Sequence, residues 1–337
     1  MKIPKNVLLV MLLTLAVATT VISCKKDKTT DLIGNWLEKP DYRGDARQEA
    51  VAFAIGEMGY VGTGYNGDDR LNNFYSYNVN ADRWEIVATD SLMTPRTGAV
   101  AFTAGGKGYV GTGRDNTKEL KDFWEYTPET NTWKRVADCP IGRYSAVAFS
   151  INDIGYMGTG YNGSTLLDFY SYDPQTNTWK EIASYPTKVR EAVAFVLGNK
   201  GYVVTGEKNG VNIDDFFMYD PGTDKWTAMR KVDDVSAESY DDDYTITRQK
   251  AVAFTIAGRA YVTTGEKGGT VKDVWEYNPD TDLWVAKTSF EGVARSNAVA
   301  FTTASGRGFV ATGYNGSSTY FDDLYEFRPV DDFNADD

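Results

Sequence analysis

The side chains best suited to chemistry recur at matched places along this chain. Tyr65, Arg114, Tyr161, Glu207, Glu266 and Tyr314 share one place, with Asn66, Asp115, Asn162, Lys208, Lys267 and Asn315 directly after them. Arg47, Arg96, Arg143, Arg190, Arg248 and Arg295 share another, and the residue after each varies: Gln48, Thr97, Tyr144, Glu191, Gln249 and Ser296. An aromatic face with a few oriented polar groups is the usual make-up of a ligand site. Tyr rings pack on sugar C–H surfaces, while carboxylates, amides and guanidinium groups bond hydroxyls and anions. Glu207 and Glu266 would form a proton-transfer pair if they converge on one substrate, with Arg114 holding a substrate carboxylate. The chain contains no His, which excludes His triads, imidazole bases and imidazole metal ligands. Cys139 then has no activating partner and reads as a packing residue before Pro140.

A repeat positions these residues. Ala-Val-Ala-Phe occurs six times, beginning at Ala50, Ala99, Ala146, Ala192, Ala251 and Ala298, each just after one of the Arg residues. A second run of the type Gly59 to Gly64 follows, then a third such as Phe74 to Tyr77, and a Trp closes most units: Trp84, Trp133, Trp179, Trp226 and Trp284. Short β-branched and aromatic runs bounded by Gly, Pro, Asn and Asp are strand and turn signals, so each unit reads as four strands. Successive Arg residues stand 49, 47, 47, 58 and 47 positions apart. Four-stranded units near this period bury both faces only by stacking radially, which predicts an all-β, six-bladed β-propeller over residues 32–330. The small Ala side chains suit the innermost strand, where the blades converge.

Arg, then Ala-Val-Ala-Phe, then Gly-Tyr-Val-x-Thr-Gly, then Asp-Phe-Trp-Glu-Tyr-x-Pro-x-Thr-Asn-x-Trp resembles the kelch repeat. Thr-Gly stands where many kelch repeats carry a Gly-Gly doublet, and the Gly at the strand end is kept. The resemblance implies a kelch-type propeller of the superfamily that includes galactose oxidase. Copper chemistry of the galactose oxidase type needs His ligands and is not expected here, so neither a metal nor a cofactor is expected. Some bacterial six-bladed kelch proteins are sialic acid mutarotases or epimerases of the cell envelope. The resemblance therefore implies a carbohydrate isomerase as the alternative to a noncatalytic binding module.

The ends carry further signals. Met1 to Ser23 has a basic start and an apolar run from Val7 to Ala18, the pattern of a secretory leader. Val21, Ile22, Ser23, Cys24 resembles the lipobox of bacterial lipoproteins, which implies acylation of Cys24, a tether over 24–31 and a lipid-anchored place in the cell envelope. Acyl chains contribute roughly 0.8 kcal/mol per buried CH₂ to such anchoring. The stretch Gly34, Asn35, Trp36 looks like the closing strand of a repeat, and the sixth unit lacks one after Tyr325. The N-terminal strand is therefore expected to complete the last blade and cover its edge. Residues 331–337 read as an acidic tail, and Asp233 to Tyr244 as an acidic insertion, either solvated or holding calcium.

A ligand on a propeller axis rarely has sixfold symmetry, so residues alike in every unit serve the fold and matched residues that differ are site candidates. Asp122, Asp168, Asp215, Asp273 and Asp323 fall in the first group. The six Arg residues either pair with these Asp residues or ring the axial opening. With the four strands of a unit lettered a to d and running antiparallel, strand direction puts the variable b–c and d–a connections on one face. The expected function is binding of a glycan or extracellular protein there by a monomeric domain. The formal charge of −12 argues against nucleic acid as a partner.

Overall fold

The computed structural model describes residues 32–233 and 244–334. The leader, Cys24, the tether and the core of the acidic insertion lie outside the described residues, as do the last three residues of the tail.

Six four-stranded antiparallel sheets account for nearly all the regular structure. Blade 1 runs Val51–Ile55, Met58–Gly62, Phe74–Asn78 and Arg83–Val87, here strands a to d from the axis outward. The inner strands of blades 2 to 6 are Val100–Ala104, Val147–Ile151, Val193–Leu197, Val252–Ile256 and Val299–Thr302. Each inner strand packs beside the next, and the sixth returns to the first, so the ring is closed. The last blade takes its outer strand from the start of the chain. Asn35–Lys39 pairs antiparallel with Leu324–Arg328, placing Trp36 opposite Phe327 and Glu38 opposite Tyr325.

The repeat residues explain the packing between blades. In the inner strands Val and Phe are buried and face neighbouring sheets, while the intervening Ala residues line the axis. The Phe of each inner strand lies over the second strand of the following blade. A Cβ added to Gly108 would stand 2.2 Å from Phe53, and one added to Gly155 2.3 Å from Phe102. These glycines leave the groove that the aromatic ring fills. At the circumference four closing Trp residues donate to the preceding blade, among them Trp133 Nε1 to Ala88 O at 2.8 Å, Trp179 Nε1 to Ala137 O at 3.0 Å and Trp226 Nε1 to Ala183 O at 2.9 Å. Trp84 donates in the same way to Pro40 O at 2.9 Å, carrying the pattern across the seam. Trp36 is wholly buried against Phe254, Phe290 and Phe327. Aromatic pairs of this kind contribute about 0.5–1.5 kcal/mol each beyond their buried area.

Candidate functional site

Five of the six Arg residues are not at a binding surface. Arg47, Arg96, Arg143, Arg248 and Arg295 are 0% exposed. Arg96 bonds both carboxylate oxygens of Asp122 at 2.9 and 2.7 Å, and Arg143 those of Asp168 at 3.0 and 2.6 Å. Arg248 reaches Asp273 at 2.5 Å, and Arg295 reaches Asp323 at 2.6 Å. Each also donates to the carbonyl of the Thr that ends strand b, as Arg143 does to Thr159 O at 2.9 Å. Burial pushes the Asp122 carboxyl up, but the bonds from Arg96 and Trp124 Nε1 hold it below its ordinary value. Arg47 has the neutral Asn73 instead of an Asp, and burial pulls its pKa down. These five are spokes that tie strands within a blade; Arg96, Arg143, Arg248 and Arg295 pair with the repeated Asp residues, and Arg47 makes the same tie through Asn73.

Arg190 is different. It precedes its Ala-Val-Ala-Phe run by two residues, whereas the others precede theirs by three. Val189 takes the spoke position: its carbonyl accepts from Gly160 N–H, as Arg143 O accepts from Gly113 N–H. Arg190 instead pairs by backbone with Glu207, as Gln48 pairs with Tyr65, Thr97 with Arg114, Tyr144 with Tyr161, Gln249 with Glu266 and Ser296 with Tyr314. Adjacent residues in an extended chain point opposite ways, so the one-residue shift brings this guanidinium to the same face as those pairs. It is 30% exposed, is ion-paired to Glu207 and lies 5.2 Å over the Tyr161 ring.

These backbone pairs put every variable position on one face, around the end of the axis where the inner strands begin. Nearest the axis is the residue directly before each Ala-Val-Ala-Phe run, of which the sequence reading named only Glu191, grouped there with Gln48 and Tyr144. Glu49, Gly98, Ser145, Glu191, Lys250 and Asn297 occupy it, all at φ between 52 and 61°. Each donates its N–H to the carbonyl of the same position in a neighbouring blade, and the six bonds close a circle. Left-handed backbone costs a non-Gly residue of order 1–3 kcal/mol and persists only where its surroundings enforce it, as this circle does. No turn motif marks these residues in sequence. The one available signal was that six dissimilar residues interrupt an otherwise constant repeat.

The mouth so formed has two aromatic groups and a charged sector. Arg114 lies 5.1 Å over Tyr144, whose ring meets Tyr161 edge-on at 5.5 Å, and Arg190 covers Tyr161 from the other side. Across the mouth Tyr314 and Tyr65 gather about Tyr320 at 4.8 and 6.1 Å. Tyr65, Tyr161 and Tyr314 therefore stand in two clusters, not on one platform, and Tyr320 joins them unforeseen.

The charged sector belongs to blades 4 to 6. Glu207 is 3% exposed and has both oxygens engaged, by Arg190 and by Gly210 N–H. Glu266 accepts from Ser296 Oγ at 2.8 Å, Lys250 Nζ at 3.0 Å and Gln249 Nε2 at 3.3 Å. Burial alone would lower the Lys250 amine, yet Glu191, Glu266 and Glu49 hold it above its ordinary value and keep it charged. Burial pushes the Glu191 carboxyl up, opposed by Lys250 and Arg190. A cleft of about 560 Å³ opens beside this sector, walled by Glu266, Gln249, Asn212, Thr270 and several glycines. Glu266 lines the cleft and Glu207 does not, so the proton-transfer pair expected from sequence is not assembled. Among the described residues no cluster of His, Cys, Asp and Glu forms a metal site.

Cys139 is buried, donates its Sγ–H to Ile141 O at 3.0 Å, and is pushed by burial to about 12, so it serves packing.

Comparison with known proteins agrees with this architecture. The model of the KLHDC2/KLHL20/DRC7 kelch-repeats domain matches residues 29–188. A solved structure titled "Structure of YjhT" superposes with a TM-score of 0.71 at 18% sequence identity, covering 85% of this chain and 95% of that one. At that identity the likeness speaks for the fold. No curated protein matches the chain.

Proposed function

Taking the chain as a six-bladed kelch-type propeller, we propose that it is a lipid-anchored, noncatalytic binding module of the cell envelope whose mouth takes a glycan. The observation that carries this reading is the cleft beside Glu266. Its volume of about 560 Å³ is in the usual range for small-ligand sites, and its walls offer one carboxylate, two amides, a hydroxyl and bare glycine backbone. Such groups bond sugar hydroxyls, and the Tyr clusters that flank the axis offer faces for sugar C–H surfaces. An extracellular protein is the other occupant with the same requirements, and the breadth of the mouth is all that favours it. A sugar isomerase on this face would need a base free to exchange protons. Glu207 is already held by two donors, which counts against that alternative. Acylation at Cys24 is part of the proposal and rests on the lipobox resemblance.

A glycan array probed with the propeller tests the reading. Binding that Asn212→Ala and Tyr161→Ala each weaken supports it. Binding indifferent to both substitutions, or no binding to any glycan alongside capture of a defined extracellular protein, rejects the glycan assignment. Catalysed anomer exchange of a free sugar, followed by NMR and lost in Glu266→Gln, would replace it with the isomerase.

A further inference from the structure

We propose that the propeller rests on a lipid bilayer through an apolar patch at its seam, formed by Leu32, Ile33, Val330 and Phe333, leaving the mouth turned away from the lipid. This rests on acylation of Cys24 as proposed above, and goes beyond it by assigning the surface and the orientation. All four side chains are exposed. They come from opposite ends of the chain and are brought together by two bonds across the seam, Gly34 N to Asp331 O at 2.9 Å and Asn334 N to Asn35 Oδ1 at 2.8 Å. Thr288 pins the N-terminal half, donating its hydroxyl to Leu32 O at 2.8 Å. Other exposed apolar residues such as Ile86, Leu92 and Val211 lie away from the seam, on blades 1 and 4 or the loop after blade 1. A cluster of exposed apolar side chains marks a contact surface more strongly than scattered ones do.

Chain length identifies the occupant. Only eight positions separate Cys24 from Leu32, so acyl chains on Cys24 would keep the patch within about 28 Å of the membrane interface even at full extension. Lys25, Lys26 and Lys28 share that interval with Asp27 and Asp31. Beside the patch Asp331 is partnered by Arg328 at 3.8 Å, while Asp332 adds a further carboxylate. The anchor and the apolar side chains, not charge, would therefore hold this surface to lipid. The seam stands where the outer strand of blade 6 begins, with Asn35 opposite Arg328. The mouth gathers at the other ends of the strands, where Phe321, just before strand c of the same blade, bridges to Arg47. A bilayer at the seam therefore leaves the mouth open to solvent.

The test uses the full chain, processed and acylated in cells and reconstituted into phosphatidylcholine–phosphatidylglycerol vesicles that carry nitroxide lipids. An environment-sensitive fluorophore is placed at Val330→Cys or, on the mouth side, at the exposed Asp68→Cys; buried Cys139 is spared by its lack of access. Quenching at 330 at least about threefold greater than at 68, reduced by Phe333→Glu, is the expected result. Equal quenching, or greater quenching at 68, overturns the orientation. Quenching at neither site, with acylation verified by intact mass, overturns the patch and leaves the anchor standing. A mature chain without acyl mass overturns the anchor reading, and the patch falls with it.

Discussion

Arg143 and Arg190 stand 47 residues apart at what looks like one place in successive repeats, and they do opposite things. Arg143 is sealed inside blade 3, forked onto Asp168 and capping the Thr159 carbonyl. Arg190, shifted by one residue toward its inner strand, turns to the mouth and lies over Tyr161. Val189 fills the vacated spoke position, wholly buried beside Tyr185, and Asp215, which matches Asp168, has no Arg partner among the described residues. A repeat protein thus brings a guanidinium to the mouth by sliding one position in one blade, because a one-residue shift moves a side chain to the other side of an extended chain. The cost to blade 4 is one lost spoke.

The largest expected difference between the two is in stability. Arg143→Ala removes a guanidinium that is 0% exposed and leaves Asp168 and the Thr159 carbonyl without their donor, and is expected to cost about 3–5 kcal/mol, the range for breaking a buried ion pair. Arg190 is itself 30% exposed, so in Arg190→Ala water can enter beside Glu207, which keeps the Gly210 N–H, and the expected cost is about 1–2 kcal/mol. Urea unfolding followed by Trp fluorescence measures both, and equal losses would break the distinction. Binding should rank the opposite way. Arg190→Ala is expected to weaken glycan binding about tenfold, worth 1.4 kcal/mol. A conservative spoke change such as Arg143→Lys should leave affinity within about twofold once the protein is folded.

Acid should separate the regions again. The folded-state pKa values of Asp122, Glu125 and Glu326 are depressed. The stability they give is present above the unfolded carboxyl values near about 4 and is lost as pH falls through the folded values. Glu191 has the reverse sign: its folded-state value is raised, so taking up its proton favours the folded chain as pH drops toward the unfolded value. As pH falls from neutrality toward the ordinary carboxyl range the mouth should therefore take up a proton while the carboxylates with depressed values stay ionised. Ligand affinity is expected to vary over that interval while the melting temperature holds or rises; a melting temperature that falls in step with affinity would contradict this.

The smallest effect concerns the Thr that ends strand b in every blade. Thr63, Thr112, Thr159, Thr205, Thr264 and Thr312 sit at φ between 58 and 62°, buried, with no partner for Oγ1. Thr159→Gly removes a strained β-branched residue and an unpaired hydroxyl, against the entropy that Gly adds to the unfolded chain. A net gain of up to about 1 kcal/mol is expected, read as a rise in melting temperature. A loss would mean that the hydroxyl is satisfied, for instance by buried water.

The fold was legible because its cause is repeated: Ala-Val-Ala-Phe, the small residue beneath each Phe (Gly in five blades, Ala260 in the other) and the closing Trp each appear blade after blade, and Trp36 marked where the missing strand lay. The mouth was legible in outline, since strand direction alone places Tyr65, Arg114, Tyr161, Glu207, Glu266 and Tyr314 on one face. Its chemistry was not. Burial of the five spokes depends on strands meeting in three dimensions, and on sequence a buried Arg looks like an exposed one. Glu49, Lys250 and Asn297 were missed, and Glu191 was grouped with a different position, because the circle of backbone bonds that turns them to the axis joins different blades. Arg190 could have been set apart by counting two residues to its Ala run where the others have three.

The most direct test of the account is one binding titration: the glycan selected on the array against Arg190→Ala and Arg143→Lys, each verified as folded. The account predicts about a tenfold loss of affinity for the first and an unchanged value for the second. Unchanged affinity in Arg190→Ala would contradict the claim that the displaced guanidinium belongs to the binding site.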